Sequence, residues 1–397
     1  MRILLTSESY LPYLSGVTVS VDALARGLGA RGHDVMVLAP RPASGARVED
    51  VGSPGPEPEY AWLGSYQLPR VAPLGYRMPL PNPVDPALRQ ARRFAPDVVH
   101  AHSPFATGVM ARRIARAARR PLVVTHHTRF DDYRHYLGPL GGVGSVLTWA
   151  FLRRFWLGSS AIIAPSSELA EEIRARLPEH ARRRVVVIPT GVDVAGIQAR
   201  RPIDPRPSAG WAPDTLVVAS LGRLAREKSP LTILEAFAIA ARTRRELRLL
   251  LIGGGPMEAD LRARAETPTL AGRVHLTGEL PRPAALDALV GADLFVFASR
   301  TETQGLVLAE ALAAGLPAIA VDGPGVRDSV RDGVDGRILP AEPAETRARR
   351  MADALEEISR DEAGRRSMAD RARDDAGRFA VERRVEEVES VYRSVAG

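Results

Sequence analysis

The chain has 397 residues, of which 45% are apolar, 25% charged and 5% aromatic, with a formal charge of +7 and no cysteine. That length predicts two globular domains, and the ordinary apolar fraction excludes a disordered chain. Disulfides, thiolate metal sites and cysteine nucleophiles are excluded outright.

Taken from the N-terminus, MRILLTSESY reads as a buried strand rather than a signal peptide. No apolar run approaches the ~20 residues of a membrane span, so a soluble, cytoplasmic protein is expected. RILLT (2–6), VMVLA (35–39), DVVHA (97–101), PLVVT (121–125), AIIAP (161–165) and VVVIP (185–189) follow one another as strand candidates. Helical patterns such as Val17–Arg31 and Thr107–Arg119 lie between them. Continuous rather than alternating apolar strands imply a parallel sheet covered on both faces. The segment 40–96 is irregular and rich in Pro and Gly, read either as a substrate-side excursion or as a long surface loop.

A Pro- and Gly-rich stretch at 202–213 (PIDPRPSAGWAP) predicts a linker. A second strand series comes after it: LVVASLG (216–222), LRLLLIG (247–253), RVHLTG (273–278), DLFVFAS (293–299), PAIAV (317–321) and GRILP (336–340). Ala380–Val395 closes the chain as a charged helix. The expected architecture is α/β, two doubly wound sheets divided as 1–205 and 206–379. Their ligand crevice is expected at the carboxyl ends of the strands, facing the gap between domains.

Charge is uneven. Between Arg89 and Trp156 stand 12 arginines against three aspartates, Asp97, Asp131 and Asp132. Such a face suits an anionic lipid surface, nucleic acid or a phosphorylated substrate, or else is a solvated Arg-rich helix. No recognised nucleic-acid motif accompanies it, so no nucleic-acid partner is expected. Lys228 is the only lysine in the chain. An ammonium differs chemically from a guanidinium fork, so this exception calls for a local reason.

Five strand ends carry chemistry. After the first strand, SGVTVSV places Gly16 where backbone amides and a helix N-terminus can approach an anion. No GxGxxG occurs there, which argues against a dinucleotide cofactor. LVVTHHTRFDDYRHY sets His126 and His127 beyond a strand end, with Thr128, Asp131 and Asp132 close by in sequence. This reads as a polar pocket, the alternative being a helix cap, and the spacing does not suit zinc. In SLGRLAREKS, Arg223 and Lys228 fit a diphosphate. LIGGGPMEADL supplies Gly253–Gly255, either for close approach of a nucleotide or as an ordinary glycine-rich turn. In ASRTETQGLVLAEALAAGLP, Glu302 lies in a loop, Gly305 opens a helix, and Glu310 stands at the E-x7-E spacing. Carboxylates of this kind accept hydrogen bonds from vicinal hydroxyls, as of a sugar or ribose.

GRLAREK, TETQGLVLAEA, SGVTVSV and VTHHTRF together resemble the retaining GT-B glycosyltransferases of family GT4, over essentially the whole chain. HHTRFDDYRHY followed by TETQGLVLAE is most similar to the diacylglycerol glucosyltransferases and related lipid glycosyltransferases. The resemblance implies that Arg223 and Lys228 bind the donor diphosphate and stabilise the leaving nucleotide in place of a metal ion. It implies further that Glu310 holds the ribose and Glu302 the donor sugar. Gly305 and Leu306 would offer backbone amides, and Gly16 and Gly254 would approach the nucleotide sugar. His127 is expected at the sugar's reacting face and its C6 hydroxyl, and helix 380–397 is expected to cross back to the first domain.

The same resemblance implies a metal-independent, cofactor-free hexosyltransferase, with UDP-glucose as expected donor and a lipid such as diacylglycerol as acceptor. The Arg-rich 111–120 and the aromatic 137–157 are the expected contacts with an anionic membrane, at the inner face of the cell membrane. Their alternative is two helices packed on the first sheet with charged outer faces. Competing readings are a GT4 transferase acting on a soluble or phosphorylated acceptor, such as an inositol phosphate or a sugar, with GDP-mannose as donor, and a non-catalytic sugar-nucleotide-binding protein.

Overall fold

The computed structural model describes residues 1–44, 53–67, 76–80, 82–127 and 141–397, with the backbone alone for 141–145. Within it the apolar runs form two all-parallel sheets. The first contains β1 (Arg2–Thr6), β2 (Asp34–Pro40), β3 (Glu59–Leu63), β6 (Val98–Ala101), β7 (Leu122–Thr125), β8 (Ala161–Ala164) and β9 (Val185–Val187), in the order β3-β2-β1-β6-β7-β8-β9. A small antiparallel pair, β4 (Ser65–Tyr66) and β5 (Met78–Pro79), stands apart. The second sheet contains β10 (Leu216–Leu221), β11 (Leu247–Ile252), β12 (Val274–Leu276), β13 (Leu294–Phe297), β14 (Ala318–Val321) and β15 (Gly336–Leu339), in the order β12-β11-β10-β13-β14-β15.

Successive side chains of a strand point to opposite faces, so a sheet covered twice needs apolar residues at every position. In the first sheet Leu4, Leu38, Val99, Val124 and Ile162 join one core cluster. Their neighbours Ile3, Leu5, Val37, Val98, Val123 and Ile163 join the other. In the second sheet Val218, Leu249, Leu251, Val296 and Ile319 face one core. Val217, Ala219, Leu250, Phe295 and Ala320 face the opposite one. This double burial is what the unbroken runs encode.

The chain divides into two compact units, Met1–Gly191 with Val381–Gly397, and Val192–Ala380. The stretch 202–213 lies inside the second unit. There Trp211 Nε1 donates to the Gly272 carbonyl at 2.9 Å, and Arg206 Nε donates to that of Thr215 at 2.9 Å. Helix Val381–Ala396 packs in the first unit, where Val385 lies over Gly27 of helix Gly16–Ala30 and Arg31 pairs with Glu389.

The segment 40–96 is more ordered than its composition suggests. It holds β3, which pairs with β2, and helix Pro86–Arg93. Asp85 caps that helix by accepting from the Ala87 N–H at 2.8 Å, with Pro86 at the first helical position. Strand β3 is an edge strand whose Ala61 and Leu63 face inward while Tyr60 stacks on Trp62, ring centroids 4.8 Å apart. Four of its five residues, EYAWL, are apolar, so the strand is hidden by the Pro- and Gly-rich sequence around it and not by a lack of apolar residues.

In each sheet the strand order reverses direction once, beside β1 and β6 and beside β10 and β13. Loops leaving such neighbours run apart and open a crevice at the carboxyl ends.

Candidate functional site

In the second unit the switch point brings together residues 74 positions apart. Beyond β10 the chain passes through Gly222 (φ +150°) and Arg223 into a short 3-10 turn, Arg226–Lys228. Beyond β13 it runs through Ser299 and Thr301 to Glu302. The hydroxyls of Ser299 and Thr301 both lie 3.4 Å from the Glu227 carbonyl and tie the two loops together. Lys228 Nζ then meets the Glu302 carboxylate in an ion pair whose two side chains are each about one-quarter to one-third exposed. Arg223, in the same loop, is exposed, and its side chain has no hydrogen-bonding or ionic partner among the described residues.

Glu302 is followed by Gly305, whose φ of +73° is a left-handed conformation that glycine adopts without cost. It opens helix Leu306–Ala313, whose first N–H groups, beginning at Leu306, lack intrahelical acceptors. Glu310 sits on that helix with its side chain at 0% exposure. One carboxylate oxygen accepts from Arg282, at the start of helix Arg282–Val290. The other, Oε2, is buried and has no partner among the described residues. A buried carboxylate oxygen left unpaired is costly, and a ligand hydroxyl would satisfy it. Direct contact therefore joins Lys228 to Glu302 and Glu310 to Arg282, and no direct contact joins these two pairs.

The glycines of the β11 loop are explained from within the fold. Gly253 (φ +124°) and Gly255 (φ +156°) lie against the carbonyls of Gly222 and Leu224, where a Cβ would collide. A Cβ on Gly254 would stand 3.1 Å from the Glu279 N atom. Leu224 N–H donates to the Gly254 carbonyl at 2.9 Å. The β10 loop is thus laid backbone-to-backbone on the β11 loop, the requirement of an ordinary glycine turn.

In the first unit Ser15 caps helix Gly16–Ala30 by accepting from the Thr18 N–H at 3.2 Å. A Cβ on Gly16 would meet nothing within 4 Å, so the space above this N-terminus is open. The two adjacent histidines have separate surroundings. His126 is buried edge-on against Trp156, centroids 5.0 Å apart. His127 stacks on His102, its Nε2 lying 2.9 Å from His102 Nδ1. Burial pushes the His127 imidazole down to about 4, so the ring is neutral at ordinary pH. Thr128, Asp131 and Asp132 lie outside the described residues, as does the start of the 137–157 segment.

Several residues of these strand ends carry little or no signal in the sequence. Glu8, just past β1, accepts from the Ser103 hydroxyl at 2.6 Å, and burial raises its carboxyl above the usual range. His100 and His102 stand at the end of β6, and the strand-end rule that marks His126 and His127 applies equally to HAH. Arg282 has no sequence pattern that would single it out.

Comparison with known proteins adds the family. Residues 14–195 match the model for "Glycosyltransferase Family 4", and residues 204–375 that for "Glycosyl transferases group 1". The chain is 30% identical over 329 residues to an alpha-monoglucosyldiacylglycerol synthase of Acholeplasma laidlawii, covering 80% of each protein. It is 32% identical over 342 residues to a GDP-mannose-dependent alpha-mannosyltransferase of Mycolicibacterium smegmatis, covering 85% of this chain and 84% of the relative. A crystal structure of Anabaena HepE in complex with UDP superposes with a TM-score of 0.73 at 20% identity, over 99% of this chain and 100% of the other.

The Arg282–Glu310 pair is open to direct test. Arg282→Ala leaves a fully buried carboxylate uncompensated and is expected to destabilise the second unit by about 3 kcal/mol, read by urea denaturation. An unchanged midpoint would mean that water already solvates Glu310.

Proposed function

The chain belongs to glycosyltransferase family 4, a hexosyltransferase of the GT-B fold, and on that footing we propose that it transfers glucose from UDP-glucose to a lipid hydroxyl such as that of diacylglycerol. The transfer retains anomeric configuration and uses no metal ion. One observation carries the reading: the only lysine is held against Glu302 at the switch point of the second sheet. In a nucleotide sugar the phosphate and the sugar are bonded to each other. A cation and an acid in contact fit that junction, the ammonium toward phosphate and the carboxylate toward a neighbouring sugar hydroxyl.

The remaining roles come from charge and hydrogen bonding. Arg223 offers a free guanidinium to the diphosphate. The helix N-terminus at Gly305 and Leu306 adds N–H donors and a partial positive charge. The open Oε2 of Glu310 suits a ribose hydroxyl. Gly16 exposes a second N-terminus, in the first unit. As the bond from C1 to the phosphate oxygen breaks, negative charge grows on the leaving diphosphate, and fixed cations lower that barrier. The acceptor oxygen bonds C1 from the same face, and its proton passes to the departing diphosphate oxygen.

The lipid acceptor is supported by the surface of the first unit as well as by the diacylglycerol-acting relative. Helix Gly141–Leu157 buries Leu152, Phe155 and Trp156 but leaves Val146 69% and Leu147 65% exposed. Phe151 of the same face stacks on exposed Phe105, centroids 6.1 Å apart. Around this patch lie Arg112, Arg113, Arg116, Arg153 and Arg154, none with a carboxylate partner among the described residues. Burial, then Arg116 and Arg154, lower the Arg112 guanidinium below its ordinary value, the mark of crowded like charges. An outer face both apolar and basic is suited to an anionic bilayer. Among the described residues no helix is long and apolar enough to cross a membrane. GDP-mannose is the second donor reading, favoured by the mannosyltransferase relative.

Two experiments test the proposal. With UDP-glucose and diacylglycerol micelles, Lys228→Ala is expected to lower kcat roughly 10²–10³-fold and Glu302→Gln at least tenfold, melting temperatures unchanged. Wild-type turnover in both variants sinks the assigned site, and release of GDP alone from a donor panel would transfer the assignment to GDP-mannose. Separately, the protein should co-sediment with phosphatidylglycerol vesicles at low salt, and a Leu147→Glu, Phe151→Glu double variant should stay in the supernatant. Failure of the wild type to sediment removes the membrane surface from the proposal.

A further inference from the structure

Beneath His127 lies a stack of imidazoles that the glycosyltransferase reading leaves unused. His100 and His102, two positions apart at the end of β6, share one face of the strand, their rings 4.2 Å apart between centroids. His102 in turn stacks on His127 at 5.2 Å with an interplanar angle of 19°. The inner ring is pinned at both nitrogens. His100 Nδ1 lies 2.6 Å from the hydroxyl of Tyr392, on helix Val381–Ala396, and its Nε2 lies 2.7 Å from the hydroxyl of Thr125. His102 uses Nδ1 toward His127 Nε2 at 2.9 Å, while its own Nε2 is buried and without a partner among the described residues. The rings lie face to face rather than converging on one point, and no metal-binding cluster of three or more such residues occurs among the described residues.

The proton between His102 and His127 can sit on only one of the two nitrogens. If His127 donated it, His102 would carry its own proton on Nε2, as a buried N–H with no acceptor. If His102 donates from Nδ1, its Nε2 is a bare acceptor, the less costly of the two defects. His127 then carries its proton on Nδ1.

We infer that His102 is a positioning residue for His127: by donating from Nδ1 to His127 Nε2 it fixes the ring plane and leaves His127 Nδ1–H as a hydrogen-bond donor to an oxygen of the donor sugar. His100, held by Tyr392 and Thr125, backs the stack and ties it to the C-terminal helix. The inference rests on the proposed function for the donor sugar, and on the expected place of His127 at that sugar, though not for the tautomer. Burial supports it by keeping the stack neutral, His100 down to about 3, His102 well below its ordinary value and His127 to about 4. Among the described residues, the other titratable or charged groups around it are Tyr392 and Arg384 of the C-terminal helix, Arg384 lining the same pocket as His102, Glu8, bound to Ser103 beside His102, and the neighbouring His126, packed on Trp156. An unfolded chain takes up these protons near pH 6.5, while the folded one refuses that of His127 until about 4 and that of His100 until about 3, with His102 also held well below its ordinary value. Stability therefore falls as pH drops through that window, and activity holds down to about pH 5.

The test reads both tautomer and turnover. A ¹H–¹⁵N spectrum of the imidazole nitrogens of the unliganded full chain, with eight histidines to assign, is expected to show His127 protonated on Nδ1. Protonation on Nε2 overturns the inference whatever the variants do. His102→Phe should lower kcat at least tenfold with donor KM within twofold and mix the His127 tautomers. His102→Gln, whose amide can donate to the same nitrogen, should keep kcat within threefold. Equal kcat in His102→Phe and wild type would also overturn it. Should His127→Ala leave kcat unchanged while the tautomer is as stated, the fault lies with the proposed sugar contact and not with the pairing.

Discussion

The candidate site of the second unit is organised around an ammonium and a carboxylate held in contact at the ends of two neighbouring parallel strands. Lys228 and Glu302 reach each other because β10 and β13 are adjacent in the sheet while the loops beyond them depart in opposite directions. In partly buried surroundings each charge offsets the desolvation of the other. The pair thus holds both groups in place at the point where a charged ligand would enter. A lone lysine there would swing on its flexible stem, and a lone glutamate would lose its orientation.

Supporting this contact is mostly backbone work. The β10 loop can carry Arg223 and Lys228 only because it lies directly on the β11 loop, and that approach leaves no room for side chains at Gly253 and Gly255. Gly305 performs a different task. Its left-handed conformation turns the chain into helix Leu306–Ala313, which carries Glu310 into the interior against Arg282. Glycines that look alike in the sequence therefore divide into those that let backbone meet backbone and one that turns a helix toward the site.

The strand ends of the first unit are ordered differently. They gather three imidazoles that burial holds neutral, one of them between the hydroxyls of Thr125 and of Tyr392 from the C-terminal helix, and the carboxyl of Glu8, whose proton affinity burial raises. Stacking and hydrogen bonding, rather than an ion pair, order the imidazoles. The outer face of the same unit pairs exposed apolar residues with arginines that lack acidic partners. Polar chemistry at the strand ends and an apolar, basic exterior thus occur in one compact unit.

From the sequence alone came the fold class, twelve of the fifteen strands, and the residues that stand at the ends of those strands. Double burial writes itself as continuous apolar runs, and strand ends are where parallel sheets present side chains to ligands. The family motifs were equally plain, since GRLAREK and E-x7-E are local patterns. Edge strand β3 escaped because its five residues are set in a Pro- and Gly-rich segment whose composition reads as irregular. Which charges pair was decided only by tertiary structure. Glu302 finds Lys228, 74 positions away, whereas Glu310 finds Arg282, and His100 finds Tyr392 across 292 positions. Such contacts arise from strand order and helix docking, which couple distant segments and leave no local trace for a reader of residues.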